Sequence, residues 1–421
     1  VSCLVWYGDP GTDPNTAVLK VGVQYYLKVY KYRFDGSQST EAAGAPIAAV
    51  YTPGLPASLM GQCTCEDQQY AGDPVNTATG VVTEQATDAS VPGPGMPFSL
   101  ARSYRSDATN TTGLLGQGWR LPFEASVSVN ATSGAVTLID GDGAQVMFTK
   151  NPDGSYTGPV PVRYTLAAVA GGGFTVTALD NSVRTFDASG RLTSMVDVSG
   201  KGLILGYTTG MLSSVTDAAG RAAALTVYPA GDPAAGLLEQ VTLADGRSVS
   251  YSYTNRQLTG VKDVTGGLTQ YSYDAGGRLA KVTDPKQQVI EQNTYDQTTG
   301  RITQQIDASN QTWKFAWTPT PNAPAGSGES DVTDPANGIW TDVYSAGVLM
   351  GHYNPYFNGS ARTVDQNLDI SGLRDGNGTT VNYTYFPDGD VETETDPVSG
   401  AIESWTYDAP GLVHSHTALP G

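Results

Sequence analysis

The chain has 421 residues, among them 50 Gly, 25 Pro, 3 Cys and 3 His; charged residues are sparse at 15%, and the formal net charge is −18. Such an acidic balance, with no Lys/Arg cluster, excludes nucleic acid as a partner, because phosphate binding needs such clusters. No run of eighteen apolar residues offers a membrane span. No segment places apolar residues at i, i+3, i+4 and i+7, so the chain is expected to be all-β and turn-rich.

The first segment, 1–50, contains VGVQYYLKVYKYRFDGSQS, which alternates at period two and reads as two strands of a small β-sandwich-like segment. It resembles the last strands of a fibronectin type III module. All three cysteines lie early, at Cys3, Cys63 and Cys65. Cys63-Thr-Cys65 is too tight for an easy mutual bridge, so a disulfide would join Cys3 to one of them and leave one thiol over. A Pro/Gly-rich linker is assigned to 51–71. The chain opens on Val1 rather than Met and is read as processed, trimmed or excerpted.

The character changes at GDPVNTATG, and residues 72–150 read as a block of their own. Within it, Asp140-Gly-Asp142-Gly sits between two apolar strands, VTLID and AQVMF. It lacks the spacing of a calcium loop and reads as a hairpin turn.

From 151 to 421 the chain repeats. Anchored on an aromatic, the register runs Phe186, Tyr207, Tyr228, Tyr253, Tyr273, Tyr295 and Trp317, at gaps of 21, 21, 25, 20, 22 and 22, and Tyr385 to Tyr407 is again 22. A fixed period in the twenties marks a repeat architecture. Each unit ends a strand on the aromatic, turns on Asp-x-x-Gly and returns on Arg-Leu or a variant. Examples are Gly190-Arg191, Tyr273-Asp274 with Gly277-Arg278, Tyr295-Asp296 with Gly300-Arg301, and Tyr407-Asp408. One such hairpin is marginal in water, so the units must pair into one long antiparallel sheet. The tyrosines are read as packing ladders between units rather than carbohydrate platforms. The stretch TPTPNAPAGSGES at 318–330 is expected to break the register after Trp317, as an exposed loop or soft joint. His414-Ser-His416 puts two imidazoles on one face of a strand, but with no third ligand it is read as a strand end and not a metal site. The aspartates fall at turn positions and need no catalytic explanation. No cofactor and no enzyme activity are assigned.

The block and the array together resemble bacterial RHS-repeat proteins, whose YD repeats are shared with the teneurin shell. The block carries that family's opening motifs as Pro74-Val75-Asn76, Thr79-Gly80, Gly93-Pro94-Gly95-Met96-Pro97, Arg102-Ser103-Tyr104 and Gly116-Gln117-Gly118-Trp119, with the repeats following over about 72–417. The resemblance implies a β-sheet that curls into a hollow shell. It implies a secreted or cell-surface bacterial protein whose shell carries or protects a C-terminal toxin; the alternative is an extracellular adhesive or filament-forming scaffold. Neither role uses a catalytic site in the repeats. Implied partners are further repeats of a longer parent chain, a toxin cargo or neighbouring copies. Ten units of about 21 residues, two strands each at ~4.8 Å, would roll into a ring about 30 Å across. That is too narrow for a 100-residue cargo with a radius of gyration near ~13 Å. Gly118-Trp119 and Arg102-x-Tyr104 are expected in adjacent strands of a cap that starts the sheet. The strand around Leu412–His416 is expected to pair with a further repeat or a neighbouring copy.

Overall fold

A computed structural model describes residues 69–159, 162–409 and 411–418, and the backbone of three earlier strands. Those strands, Cys3–Tyr7, Gln24–Lys31 and Ile47–Val50, form an antiparallel sheet with Gln24–Lys31 in the middle. The alternating stretch read as two strands thus contributes one here. Cys63, Cys65 and nearly all of the linker lie outside the described residues, so the expected disulfide is not described.

The rest is all-β; among the described residues helix is confined to one 3-10 turn, Pro122–Glu124. Twenty-four strands, from Thr165–Ala168 to Leu412–Thr417, form one sheet in chain order, each antiparallel to its neighbours. Smaller sheets of five, four and two strands are built from residues 70–157.

The repeat signature follows from a defect built into each unit. Leu258 and Val261 are three apart, as are Leu279 and Val282, yet all four are buried. In a regular strand i and i+3 face opposite sides. Here the sheet shifts register just before the aromatic: between Ser252 and Tyr253, Ser272 and Tyr273, Thr294 and Tyr295, and Thr384 and Tyr385. One extra residue on the returning strand brings both apolar side chains to the core face. The phenol then reaches back one unit. Tyr207, Tyr253, Tyr273 and Tyr295 donate to the backbone carbonyls of Leu192, Leu238, Leu258 and Leu279 at 2.7, 2.8, 2.7 and 2.9 Å. Tyr385 and Tyr407 do the same to Ile370 and Val391 at 2.8 and 3.0 Å.

Asp-x-x-Gly and the Arg complete the unit. Asp274 Oδ1 accepts from the N–H of Gly276 and Arg278 at 2.9 and 2.8 Å, and its Oδ2 pairs with the Arg278 guanidinium at 2.7 Å. That guanidinium lies 4.9 Å over the ring of Tyr295 in the next unit, as Arg191 lies 4.9 Å over Tyr207. Units are therefore tied by a phenol–carbonyl bond and a cation–π contact more than by the ring-on-ring stacking expected of the tyrosine ladder.

The interruption at 318–330 does not break the sheet. The strand Thr312–Pro319 pairs without a shift with Gly328–Thr333, from Lys314↔Thr333 to Pro319↔Gly328. The Pro/Gly-rich residues form only the end of a longer hairpin, and Trp317 lacks the shift that marks the other units.

The sheet closes on itself. Arg163, just before the first strand of the array, pairs with Asp369 at 2.6 Å, and its guanidinium also reaches the Pro387 carbonyl. Leu368 is buried in the core against which Val162 and Tyr164 pack. Eighteen strand steps separate the two ends of this contact. At ~4.8 Å each, that is a coil of about 86 Å circumference and about 28 Å across.

Candidate functional site: the seam between block and coil

The block fills this coil. Instead of capping the start of the sheet, its residues from Ala89 to Phe148 share one core with array residues from Leu166 to Leu368. The reason lies in its hairpin Val81–Val91/Phe98–Arg105, whose inward side chains alternate as buried residues over Phe98, Leu100, Arg102 and Tyr104. A strand with such a face must be covered, and the curled sheet covers it.

Each block motif residue has a place along the seam. Trp119 pairs with Tyr104 across neighbouring strands. Both are fully buried, with ring centroids 5.2 Å apart, and Trp119 meets Tyr271 edge-on at 5.1 Å. The Trp119 indole donates to Tyr273 Oη at 2.9 Å, and Tyr104 Oη accepts from the Leu279 N–H at 2.8 Å. Gly118 packs under the Tyr104 ring. In the opening turn, Asn76 Oδ1 accepts from both the N–H and hydroxyl of Thr79 at 3.0 Å, and the Pro74 carbonyl accepts from the Thr83 N–H at 3.2 Å. Gly80 closes the turn at φ +66°, and its carbonyl accepts from the Ile302 N–H at 3.0 Å. A Cβ at Gly80 would sit 2.8 Å from the Arg301 Cβ, so the turn docks on the array only as glycine. Arg301 answers by donating to the carbonyls of Ala78 and Thr77 at 2.9 and 3.1 Å while lying 4.4 Å over Trp317. Arg301 is thus turned toward the block, and its own aspartate, Asp296, caps Thr298 and Thr299 instead.

Two buried polar clusters lie in the seam. In the first, Arg102 is 3% exposed and takes both oxygens of Asp88 at 3.0 Å, while its Nη2 donates to Tyr271 Oη at 2.6 Å. Tyr251 Oη donates to Asp88 at 2.9 Å. The guanidinium lies 4.7 Å over Trp119 and 5.1 Å over Tyr271. In the second, Glu84 of the block faces Glu291 of the array across the seam. Burial, then the Asp73 charge, pushes the Glu84 carboxyl up to about 7; burial, then the neighbouring Glu84, pushes Glu291 up to about 8. Both carboxyls are thus held toward their protonated form. Gln305 Nε2 donates to Glu291, to Asn293 Oδ1 and to the Asp73 carbonyl at 3.2, 3.0 and 2.9 Å.

Sequence reasoning missed Glu84, Asp88, Glu291, Asn293 and Gln305. A signal existed: VIEQNTY places Glu291 and Asn293 on the inward register, where SVSYSYT of an earlier unit places Val249 and Tyr251. The Asp140/Asp142 turn is a hairpin turn, in which Asp140 pairs with Arg184 and Asp142 caps the Ala144 N–H. His414 and His416 each face a separate carboxylate, Asp408 and Glu403, and His416 stacks on Trp405 at 4.8 Å.

Two family models match the chain: a domain of unknown function, DUF6531, over residues 72–148, and the RHS repeat over residues 254–289. Among similar proteins, the tRNA nuclease WapA of Bacillus subtilis strain 168 is 28% identical over 249 residues, 58% of this chain and 10% of that protein. Double-stranded DNA deaminase toxin A of Burkholderia cenocepacia is 24% identical over 279 residues, 58% of this chain and 16% of that protein. The chain thus spans only a small part of the length of these relatives. Among solved structures, TcdB2-TccC3-TEV aligns over 80% of this chain and 23% of its own, at 10% identity and a TM-score of 0.36. The Photorhabdus luminescens Tc holotoxin pore aligns over 82% and 22%, at 13% identity and a TM-score of 0.29.

Proposed function

Because the chain is an RHS/YD-repeat protein, we propose that it serves as a scaffold in a toxin-associated protein, as one plugged coil of a secreted shell, and not as the catalyst. The observation that carries this reading is the filled interior: block residues from Ala89 to Phe148 share one core with the array. A coil about 28 Å across with that core has no room for a folded cargo, so it acts as a closed end of a wall. The nuclease and deaminase activities named for the relatives belong, on this reading, to other parts of those long proteins. The ionisable residues singled out here support it, since Asp187, Asp217 and Asp274 each close a turn and pair with the Arg four residues on. The fit to bacterial competition rests on the names of the relatives.

The test is an in-frame deletion of residues 72–417 from the parent gene. Loss of killing in a contact-competition assay, with surface adhesion unchanged, is expected. Killing retained while adhesion is lost would overturn the proposal in favour of an adhesive scaffold.

A further inference from the structure

The outer face of the array carries a pocket that the scaffold role does not use. Between residues 241 and 261 the core face takes Val241, Val249, Tyr251, Leu258 and Val261. Alternation turns the residues beside them outward. Gln240, Ser250 and Lys262 pair in register across three neighbouring strands, and Ser252 pairs with Gly260 in the next row. In other units the position of Gly260 carries Ser214, Lys281 or Gln304, paired with Gly206, Ser272 and Thr294. Glycine leaves a dent there. A Cβ at 260 would sit 2.6 Å from Ser252 Oγ and 3.3 Å from the Leu268 side chain. The dent is part of a pocket of about 370 Å³.

Tyr228 forms a wall of this pocket. It stands in the aromatic register of the repeat yet departs from its rule. Tyr207 and Tyr253 donate back, to Leu192 and Leu238, whereas Tyr228 Oη donates forward, to the Tyr251 carbonyl at 2.8 Å. The longer loop of its unit holds it there. The Tyr228 N–H donates to the Leu237 carbonyl at 2.9 Å, and its own carbonyl accepts from the Gly236 N–H at 3.0 Å. Its half-buried ring meets Tyr253 edge-on at 6.0 Å. Glu239, Gln240 and Lys262 also face the pocket. Among the described residues none of these three side chains has a hydrogen bond or ion pair, unlike Asp274 and Arg278, which are spent on each other.

We propose that this pocket is a carbohydrate-binding site that takes one or two pyranose rings of a neutral glycan. Its volume lies at the small end of the ~300–1,000 Å³ of small-molecule sites. The electron-rich face of the Tyr228 ring attracts the weakly positive C–H groups of a pyranose. The Glu239 carboxylate accepts from sugar hydroxyls in charge-assisted bonds. Lys262 donates to hydroxyl oxygens, and the Gln240 amide can do either. One carboxylate and one ammonium give the pocket no net charge, which favours a neutral ligand over a cation or an anion. The net charge of −18 further repels an anion. Tyr228 is fixed through its backbone and its phenol before any ligand arrives, so stacking on it costs little ordering entropy. Such a site serves a toxin-bearing shell and an adhesive scaffold alike.

The experiment is saturation-transfer NMR on the 421-residue chain with millimolar maltose, cellobiose, lactose and chitobiose, and with the dipeptide Ala-Ala as a zwitterionic control. At least one disaccharide should bind and the dipeptide should not. Gly260→Gln fills the dent with the side chain that the equivalent position holds at 304, so the strand accepts it, and it should abolish binding. Glu239→Gln and Tyr228→Leu should each weaken binding at least tenfold. Lys281→Ala, one unit on, should leave binding unchanged. Circular dichroism checks that each variant folds; should Tyr228→Leu fail, the exposed Glu239 and the dent at Gly260 still carry the test. Three results overturn the proposal: no disaccharide binds, a bound disaccharide is insensitive to both Gly260→Gln and Glu239→Gln, or the dipeptide binds in place of the sugars.

Discussion

Glu291→Gln should raise stability at pH 8 and leave it nearly unchanged at pH 5. The Glu84–Glu291 pair retains a proton in the folded coil well above the ordinary carboxyl range, with burial the leading cause. Because the folded pKa is raised, the folded state binds more protons than the unfolded chain between pH ~4.5 and ~8, and stability falls as pH rises through that window. Each retained proton gives a slope of about 1.4 kcal/mol per pH unit, hence about 3 kcal/mol between pH 5 and 7 for Glu291 alone. Glutamine keeps an acceptor for Asn293 and Gln305 and removes the charge. Asp88, Glu124 and Asp142 are also raised by burial, so the variant keeps part of the slope. The diagnostic is the difference between the two chains. Asp263 and Asp296 in the turns do not interfere: their carboxyls are lowered, Asp263 by the Thr265 hydroxyl and Asp296 by the Thr299 N–H, and their contribution is lost only in stronger acid. Urea melts at pH 5, 6, 7 and 8, followed by tryptophan fluorescence, would measure it. Parallel stability–pH curves for the two chains would refute the raised Glu291 carboxyl.

Trp119→Ala removes a fully buried indole and its bond to Tyr273 and should cost ~3–5 kcal/mol in the same melts. Arg102→Leu leaves Asp88 buried and unpaired and should cost about 3–5 kcal/mol at pH 8, less at pH 5 where Asp88 can take a proton. Gly190→Ala and Gly200→Ala both put a Cβ on a left-handed backbone, φ +81° and +73°. At 190 that Cβ would lie against the Val127 carbonyl, whereas at 200 nothing lies within 4 Å. Thermal melts should show a loss of ~1 kcal/mol at Gly200 and a clearly larger one at Gly190. Far-UV circular dichroism of the whole chain should show almost no helix.

What local chemistry governs was legible in the residues. The period of the aromatics, the Asp-x-x-Gly turns and the strands between them follow from φ preferences and side-chain alternation within one unit. The pairing of Trp119 with Tyr104 likewise lies within one short block. The register shift before aromatics such as Tyr253 and Tyr273 was half legible, since Leu and Val three apart cannot both face inward without it. Three things came only from tertiary structure. The coil closes between Arg163 and Asp369, 206 residues apart, and its curvature is a sum of small twists that no single unit displays. The block sits inside the coil because an apolar face must be covered, and a sequence shows such a face without showing its cover. Glu84 and Glu291 belong to units that each look like an ordinary strand with an acidic residue. Only the docking of block on array removes both from water and raises both carboxyls.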